Sequence, residues 1–234
     1  MRNLPGSADW LSDPEELVSF QTNLVVWGKS NFRPFPWRLT YDPYTILMAE
    51  IMLHRTQVTQ VVPVFQSFVE HYPDLTALIE ASSEDLNVSL SSLGLHWRID
   101  LIFLMVRQIE ERFNLQIPQK KADLLSLPGV SDYIASAVRC FAWNIPEPLI
   151  DTNTIRVIGR IFDLETKDSS RRNSKFQRLI ADLLDPKNPR EYNYALLDLA
   201  HLICLKKQVP HCQDCPVLSY CCFGQTRIKS TRMN

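Results

Sequence analysis

The chain has 234 residues, enough for one large or two small domains, and 45 % of them are hydrophobic, so proper cores can form. A formal net charge of −1 excludes a surface that is basic throughout, so any basic patch is local: Lys120-Lys121, Arg171-Arg172, Lys206-Lys207, or Arg227, Lys229 and Arg232. No signal-peptide pattern opens the sequence and no apolar stretch approaches the ~20 residues of a membrane span, so a soluble cytoplasmic protein with no membrane partner is expected, nucleoid-associated if prokaryotic.

Helical periodicity runs through almost the whole chain. Asp13-Pro14-Glu15-Glu16 supplies a cap, a first-turn proline and acidic residues, and Leu17, Phe20, Leu24 and Val25 follow as an apolar stripe. Asp42-Pro43 repeats that start signal before Tyr44 to His54, and Thr56 to His71 carries Val58, Val61, Val62, Phe65, Phe68 and Val69 at helical spacing. Further helices are expected near 76–81, 83–92, 97–113, 122–126, 132–142, 152–163, 174–184 and 190–204. With 6 Gly, 15 Pro and no sustained apolar/polar alternation, strands have little room, and the fold class expected is all-α. No internal repeat points to a solenoid.

Four cysteines near the end, Cys204, Cys212, Cys215 and Cys221, form a C-x7-C-x2-C-x5-C run. Thiolates at these separations can converge on one centre without a large core beneath them, which suits an iron-sulfur cubane and also tetrahedral zinc. Free thiols or disulfides are the remaining reading, disfavoured in a cytosolic chain. Cys140 lies in an apolar helical pattern and reads as a small core residue, while Cys222 beside Cys221 could compete as a ligand.

Leu127-Pro128-Gly129-Val130-Ser131 sits between two short helical patterns, at about 122–142 in all. Two helices joined by such a hairpin aim backbone N–H groups and a helix N-terminus at a phosphate, which binds DNA without reading its sequence. Alone, this segment is only a turn. Asp151 follows and starts a helix through Arg156 and Ile161, where its plain role is an N-cap. A carboxylate in that place can also face positive charge developing on a substrate. Glu50 lies in Tyr44-Thr45-Ile46-Leu47-Met48-Ala49-Glu50-Ile51-Met52-Leu53, apolar nearly all round, where a carboxylate is costly to desolvate. It reads either as a general acid or as a structural Glu with a satisfied partner.

With these spacings in hand, the chain resembles the helix-hairpin-helix DNA glycosylases of the endonuclease III and MutY superfamily. Their pattern is L-P-G-V-G-x-x-x-A, an aspartate about twenty residues on, and a C-x6-C-x2-C-x5-C cluster loop. The resemblance runs from Phe35-Pro36-Trp37-Arg38 to Cys221. Asp42-Pro43-Tyr44 and Glu50-Ile51-Met52-Leu53-His54-Arg55-Thr56-Gln57-Val58 look like the signature of MutY-type enzymes and of Mig-type thymine glycosylases. Ile150-Asp151-Thr152-Asn153, followed by Arg156-Val157, looks like the catalytic aspartate segment. Tyr192-Asn193-Tyr194-Ala195-Leu196-Leu197-Asp198 looks like the helix entering the cluster. Two departures stand out: Ser131 replaces the second hairpin glycine with Asp132 adding a negative charge beside it, and the first cysteine gap has seven residues.

The resemblance implies roles for particular residues. Asp151 would stabilise the cation at the anomeric carbon as the base leaves, and Asn153 would orient it or a water. Bifunctional relatives carry a Schiff-base lysine where this chain has Tyr133, so the implied enzyme is monofunctional and leaves an abasic site; the tyrosine matches Mig-type enzymes. Glu50 would protonate or hydrogen-bond the departing base. His54, placed one turn after Glu50 on the same helical face, and Leu95 in Leu93-Gly94-Leu95-His96-Trp97-Arg98 would fill the space left by the extruded nucleotide. Arg55, Gly129 and Ser131 complete the implied DNA contacts, and Cys204, Cys212, Cys215 and Cys221 would hold a [4Fe-4S] cluster, with zinc as the alternative.

The architecture expected is two helical lobes, 42–150 with the hairpin and 1–41 plus 151–234 with the cluster loop 204–221, and an active-site cleft between them. The chain ends thirteen residues after Cys221, where MutY-type relatives continue into a domain that checks for oxidised guanine, so a stand-alone mismatch enzyme is expected. Its substrate would be double-stranded DNA with thymine or uracil opposite guanine, bound by a monomer. An adenine glycosylase acting on A·G mispairs is the alternative within the family. A non-catalytic, structure-specific DNA-binding protein is the alternative of another class.

Overall fold

The computed structural model describes residues 9–94 and 96–232, and among them there are helices and turns but no strand. The α-helices are α1 (Pro14–Ser30), α2 (Pro43–Leu53), α3 (Val58–His71), α4 (Leu75–Ile79), α5 (Ser83–Leu90), α6 (His96–Phe113), α7 (Lys121–Leu125), α8 (Asp132–Trp143), α9 (Thr152–Ile161), α10 (Ser174–Leu183), α11 (Pro189–Leu202) and α12 (Cys222–Arg232). The chain divides into two compact units, the described part of Met1–Arg33 with Pro146–Asn234, and Pro34–Ile145. These divisions lie at residues 33/34 and 145/146, where the sequence reading set 41/42 and 150/151.

In the unit Pro34–Ile145, α2 is the central helix because it has no polar face to offer solvent. Ile46, Leu47, Met48, Ala49 and Met52 are all buried, and α2 packs on α8, whose Ala135, Val138 and Phe141 are buried as well. Asp42 caps α2 by accepting from the Thr45 N–H at 2.8 Å, with Pro43 in the first turn where no N–H is needed. α3 buries Val61, Phe65 and Phe68 along one stripe, and Trp37 meets Phe65 edge-on at 5.2 Å. The α2 phenol of Tyr44 donates to the Tyr72 carbonyl at 2.6 Å, and burial with the nearby Asp74 and Asp42 charges pushes its pKa well above the ordinary tyrosine value.

The other unit builds its core on α1, α9, α10 and α11. α1 crosses α11 so closely that a Cβ on Gly28 would overlap the Cβ of Ala195. Trp10 stands 5.1 Å from Phe20, 5.5 Å from Phe162 and 4.9 Å from Tyr220, an aromatic cluster joining four separated segments. Arg33 pairs with Asp198 at 2.6 Å, which supplies a partner for a carboxylate that is almost wholly buried on α11.

Two elements depart from the sequence reading. α2 stops at Leu53, because Arg55 enters the left-handed region at φ +67° and the Thr56 N–H turns back to the Leu53 carbonyl at 3.2 Å. α12 has no apolar stripe to announce it; it exists by packing against α9 and the Cys212–Asp214 turn.

Candidate active site

Asp151 is the N-cap of α9 and is held on both oxygens. Oδ1 accepts from the Asn153 N–H at 3.0 Å and the Thr154 N–H at 2.7 Å, and Oδ2 accepts from Asn153 Nδ2 at 2.7 Å. Asn153 is fixed in turn, since its Oδ1 accepts from Arg156 Nη1 at 3.0 Å. The remaining donors of Arg156 close on the end of α11: Nη2 on the Ala200 carbonyl at 2.8 Å and Nε on the Cys204 carbonyl at 3.0 Å. Burial lowers the pKa of this guanidinium, and the neighbouring Cys204 and Asp151 oppose that shift. The result is a continuous relay from a half-buried carboxylate to the segment that begins the cysteine loop. The sequence reading paired Asn153 with Asp151 but gave Arg156 no role; its position three residues after Asn153, on the same face of α9, was the available signal.

The hairpin is a tight turn in which Val130 N–H donates to the Leu127 carbonyl at 3.2 Å, with Pro128 and Gly129 between them. Gly129 has φ +81°, a conformation open to glycine and costly to any residue with a Cβ. Ser131 does what its replacement of glycine permits: its hydroxyl caps α8 by accepting from the Ile134 N–H at 3.3 Å. The negative charge of Asp132 is met by Lys121, whose Nζ lies 3.2 Å from Oδ1 and donates to Ser136 Oγ at 2.9 Å. Lys121 thus ties α7 to α8 across the turn, a link the sequence reading missed. Tyr133 follows in the first turn of α8 and is half-buried.

Glu50, the one charged residue of α2, is 6 % exposed in the middle of that helix and takes part in polar interactions within the protein. His54 does not continue its helical face. Because α2 ends at Leu53, His54 is the cap residue, exposed beside the equally exposed Arg55. Leu95, the expected wedge, lies outside the described residues.

Cys204, Cys212, Cys215 and Cys221 all line one apolar pocket, to which Val157 and Phe223 also contribute. Cys222 is not among its walls, and Cys140 is fully buried in the other unit as a core residue. Among the described residues no three His, Cys, Asp or Glu side chains are gathered tightly enough to clasp a single ion as they stand. The surroundings nonetheless suit a sulfur-ligated group. Arg160 Nη1 reaches Cys204 Sγ at 3.2 Å, the Gly224 N–H reaches Cys221 Sγ at 3.4 Å, and a Cβ on Gly224 would overlap the end of the Leu218 side chain. Burial pushes the Cys212 thiol up, that of Cys215 to about 11 and that of Cys221 to about 12, so positive charge is needed to make thiolates of them.

The pattern of the HhH-GPD superfamily of base excision DNA repair proteins matches residues 48–182, which include the second half of α2 with Glu50, the hairpin and Asp151. The chain belongs to this superfamily. As an HhH-GPD protein it is 35 % identical to a thymine/uracil-DNA glycosylase of Pyrobaculum aerophilum, over 91 % of this chain and 94 % of that one. It is 29 % identical to an adenine DNA glycosylase of Buchnera aphidicola, over 88 % of this chain and 58 % of the relative. The solved structure of a thermostable thymine-DNA glycosylase superposes with a TM-score of 0.81 at 26 % identity, covering 91 % of this chain and 98 % of the other. Proteins of the endonuclease III/MutY type commonly carry a [4Fe-4S] cluster.

Proposed function

We propose that this HhH-GPD protein is a monofunctional DNA glycosylase that removes thymine or uracil opposite guanine from double-stranded DNA. The observation that carries the reading is the doubly held carboxylate of Asp151, with Asn153 and Arg156 behind it. Among the described residues its hydrogen-bond partners are two backbone N–H groups and a side-chain amide, which orient the carboxylate without neutralising it. In the reaction the bond between the sugar anomeric carbon and the base nitrogen breaks, and its electron pair leaves with the base. Asp151 stabilises the oxocarbenium-like sugar, and a water oxygen bonds to the anomeric carbon and gives up its proton to solvent, leaving an abasic site. Glu50 donates a proton or a hydrogen bond to the departing base. Tyr133 offers a phenol where Schiff-base chemistry needs an amine, so the strand is left intact.

His54 and Arg55, exposed at the end of α2, together with Leu95, contact the DNA around the extruded nucleotide, and Gly129 with Ser131 presents the hairpin to a phosphate. Cys204, Cys212, Cys215 and Cys221 would hold a [4Fe-4S] cluster, which would tie four points of the loop together and supply positive iron charge for the thiolates. The enzyme acts as a monomer. The similarity to Pyrobaculum aerophilum thymine/uracil-DNA glycosylase, which spans both chains almost fully, supports pyrimidine removal. The buried Glu50 favours a second reading, excision of adenine from A·G mispairs. A panel of duplexes bearing G·T, G·U, A·G and A·8-oxoguanine, each treated with alkali after incubation, decides between them. Release from G·T and G·U alone is the expected result, and release confined to A·G overturns it.

A further inference from the structure

Within the unit Pro34–Ile145, the hairpin that carries Gly129 and Ser131 is held in shape from several sides. α6 grips its entry: Gln108 Nε2 donates to the Ser126 carbonyl at 3.2 Å, and Arg112 Nη1 donates to Ser126 Oγ at 3.1 Å. That hydroxyl donates in turn to the Asp123 carbonyl at 2.7 Å, closing the end of α7. α6 also backs the turn, since Leu101 Cβ would stand 3.5 Å from a Cβ built on Gly129. With the Val130 N–H on the Leu127 carbonyl and Ser131 capping α8, hydrogen bonds and packing alone account for the shape of the turn.

Its charge is another matter. Asp132 is the first residue of α8, and its side chain is 72 % exposed at the end where backbone N–H groups point outward. An acidic residue there suits the helix dipole, but it competes with any incoming anion for the same partial positive charge. Lys121 is fixed against this carboxylate. Its Nζ lies 3.2 Å from Asp132 Oδ1 and donates at 2.9 Å to Ser136 Oγ, one turn further along α8, where Ser136 is buried. Two anchors a turn apart hold the ammonium at the hairpin end of α8. A part-exposed pair of this kind contributes little to stability. Its effect on an anion arriving at the turn is larger, because one full negative charge is cancelled at the point of contact.

We infer that Lys121 is the counter-charge that lets a hairpin bearing Asp132 accept a DNA phosphate: it acts through Asp132, and the backbone of the turn, not the lysine, meets the strand. The inference rests on the reading that Gly129 and Ser131 present the hairpin to a phosphate, and adds to it the residue that decides how tightly.

The test uses the full chain as wild type, Lys121→Gln, Asp132→Asn and the double variant, with fluorescence anisotropy on a short undamaged duplex over a range of salt concentrations. Glutamine keeps an N–H donor for Ser136 while removing the charge, and thermal midpoints report the fold. Lys121→Gln raises Kd about fivefold or more, Asp132→Asn binds more tightly than wild type, and the double variant returns to within about twofold of wild type with the wild-type salt slope. A double variant as weak as Lys121→Gln, with a salt slope shallower by about one, means that the lysine meets a phosphate itself and overturns the inference. Wild-type affinity in Lys121→Gln overturns it too. In that case Asp132→Asn tells which reading has failed: tighter binding keeps the hairpin on the strand, and unchanged binding removes the hairpin reading as well. Base release from mismatched duplexes reports on the glycosylase reading separately.

Discussion

Asp151→Asn separates the two jobs of one side chain. Asparagine caps a helix about as well as aspartate, so the Asn153 and Thr154 N–H groups keep an acceptor. The second oxygen is replaced by an amide N–H facing Asn153 Nδ2, donor against donor. Turning the Asn153 amide over only moves the conflict, because its oxygen already serves Arg156 Nη1. One hydrogen bond is lost, at about 1 kcal/mol, which lowers Tm by about 2–4 °C in a domain of this size. The catalytic loss is larger. A carboxylate about 3.5 Å from a full positive charge, at an effective dielectric of about 20, contributes about 4–5 kcal/mol, and about half that for a half-developed charge. At about 1.4 kcal/mol per decade, base release slows by roughly one and a half to three and a half orders of magnitude, with DNA binding retained. The assay is single-turnover excision from a G·U duplex at saturating enzyme, with alkali cleavage and gel separation. A rate within about threefold of wild type, alongside the small Tm loss, would falsify the catalytic role and leave Asp151 a cap.

Four further outcomes are expected. Wild-type protein leaves the strand intact until alkali is added, and Tyr133→Lys gains borohydride-trapped adduct; efficient nicking by the wild type that persists in Tyr133→Phe defeats the monofunctional reading. Arg156→Gln breaks the fork that fixes Asn153, so excision slows by about tenfold or more at unchanged DNA affinity, with Arg156→Lys intermediate, whereas a purely structural role lowers Tm and leaves the saturated rate alone. Anaerobically prepared protein is brown with broad absorption near ~400 nm, and stoichiometric zinc without iron contradicts that assignment. Gly28→Ala forces α1 away from Ala195 and costs about 1–3 kcal/mol in stability by thermal melting, while an unchanged Tm means that the helix crossing is looser than described.

Much of the fold was legible because its signals are local. Asp13 and Asp42 lie beside the prolines and the N–H groups they serve, and the stripe on α3 repeats at the helical period, so neighbours in sequence are neighbours in space. The same holds for Asp151, whose capping partners lie two and three residues away, and for the hairpin, where one glycine must take φ +81°. Tertiary structure decided what depends on distant residues. α12 forms on surfaces supplied by α9 and the Cys212–Asp214 turn, and α2 stops at Leu53 because Arg55 turns the chain. Arg156 links Asn153 to carbonyls forty-four and forty-eight residues away, and Lys121 meets Asp132 only once α7 and α8 have folded together. The four cysteines line one pocket to which Cys222 does not contribute. Capping and periodicity act over one or two helical turns and can be read along the chain. Side-chain forks, charge pairing and pocket walls are set by packing, which brings together residues that the sequence keeps apart.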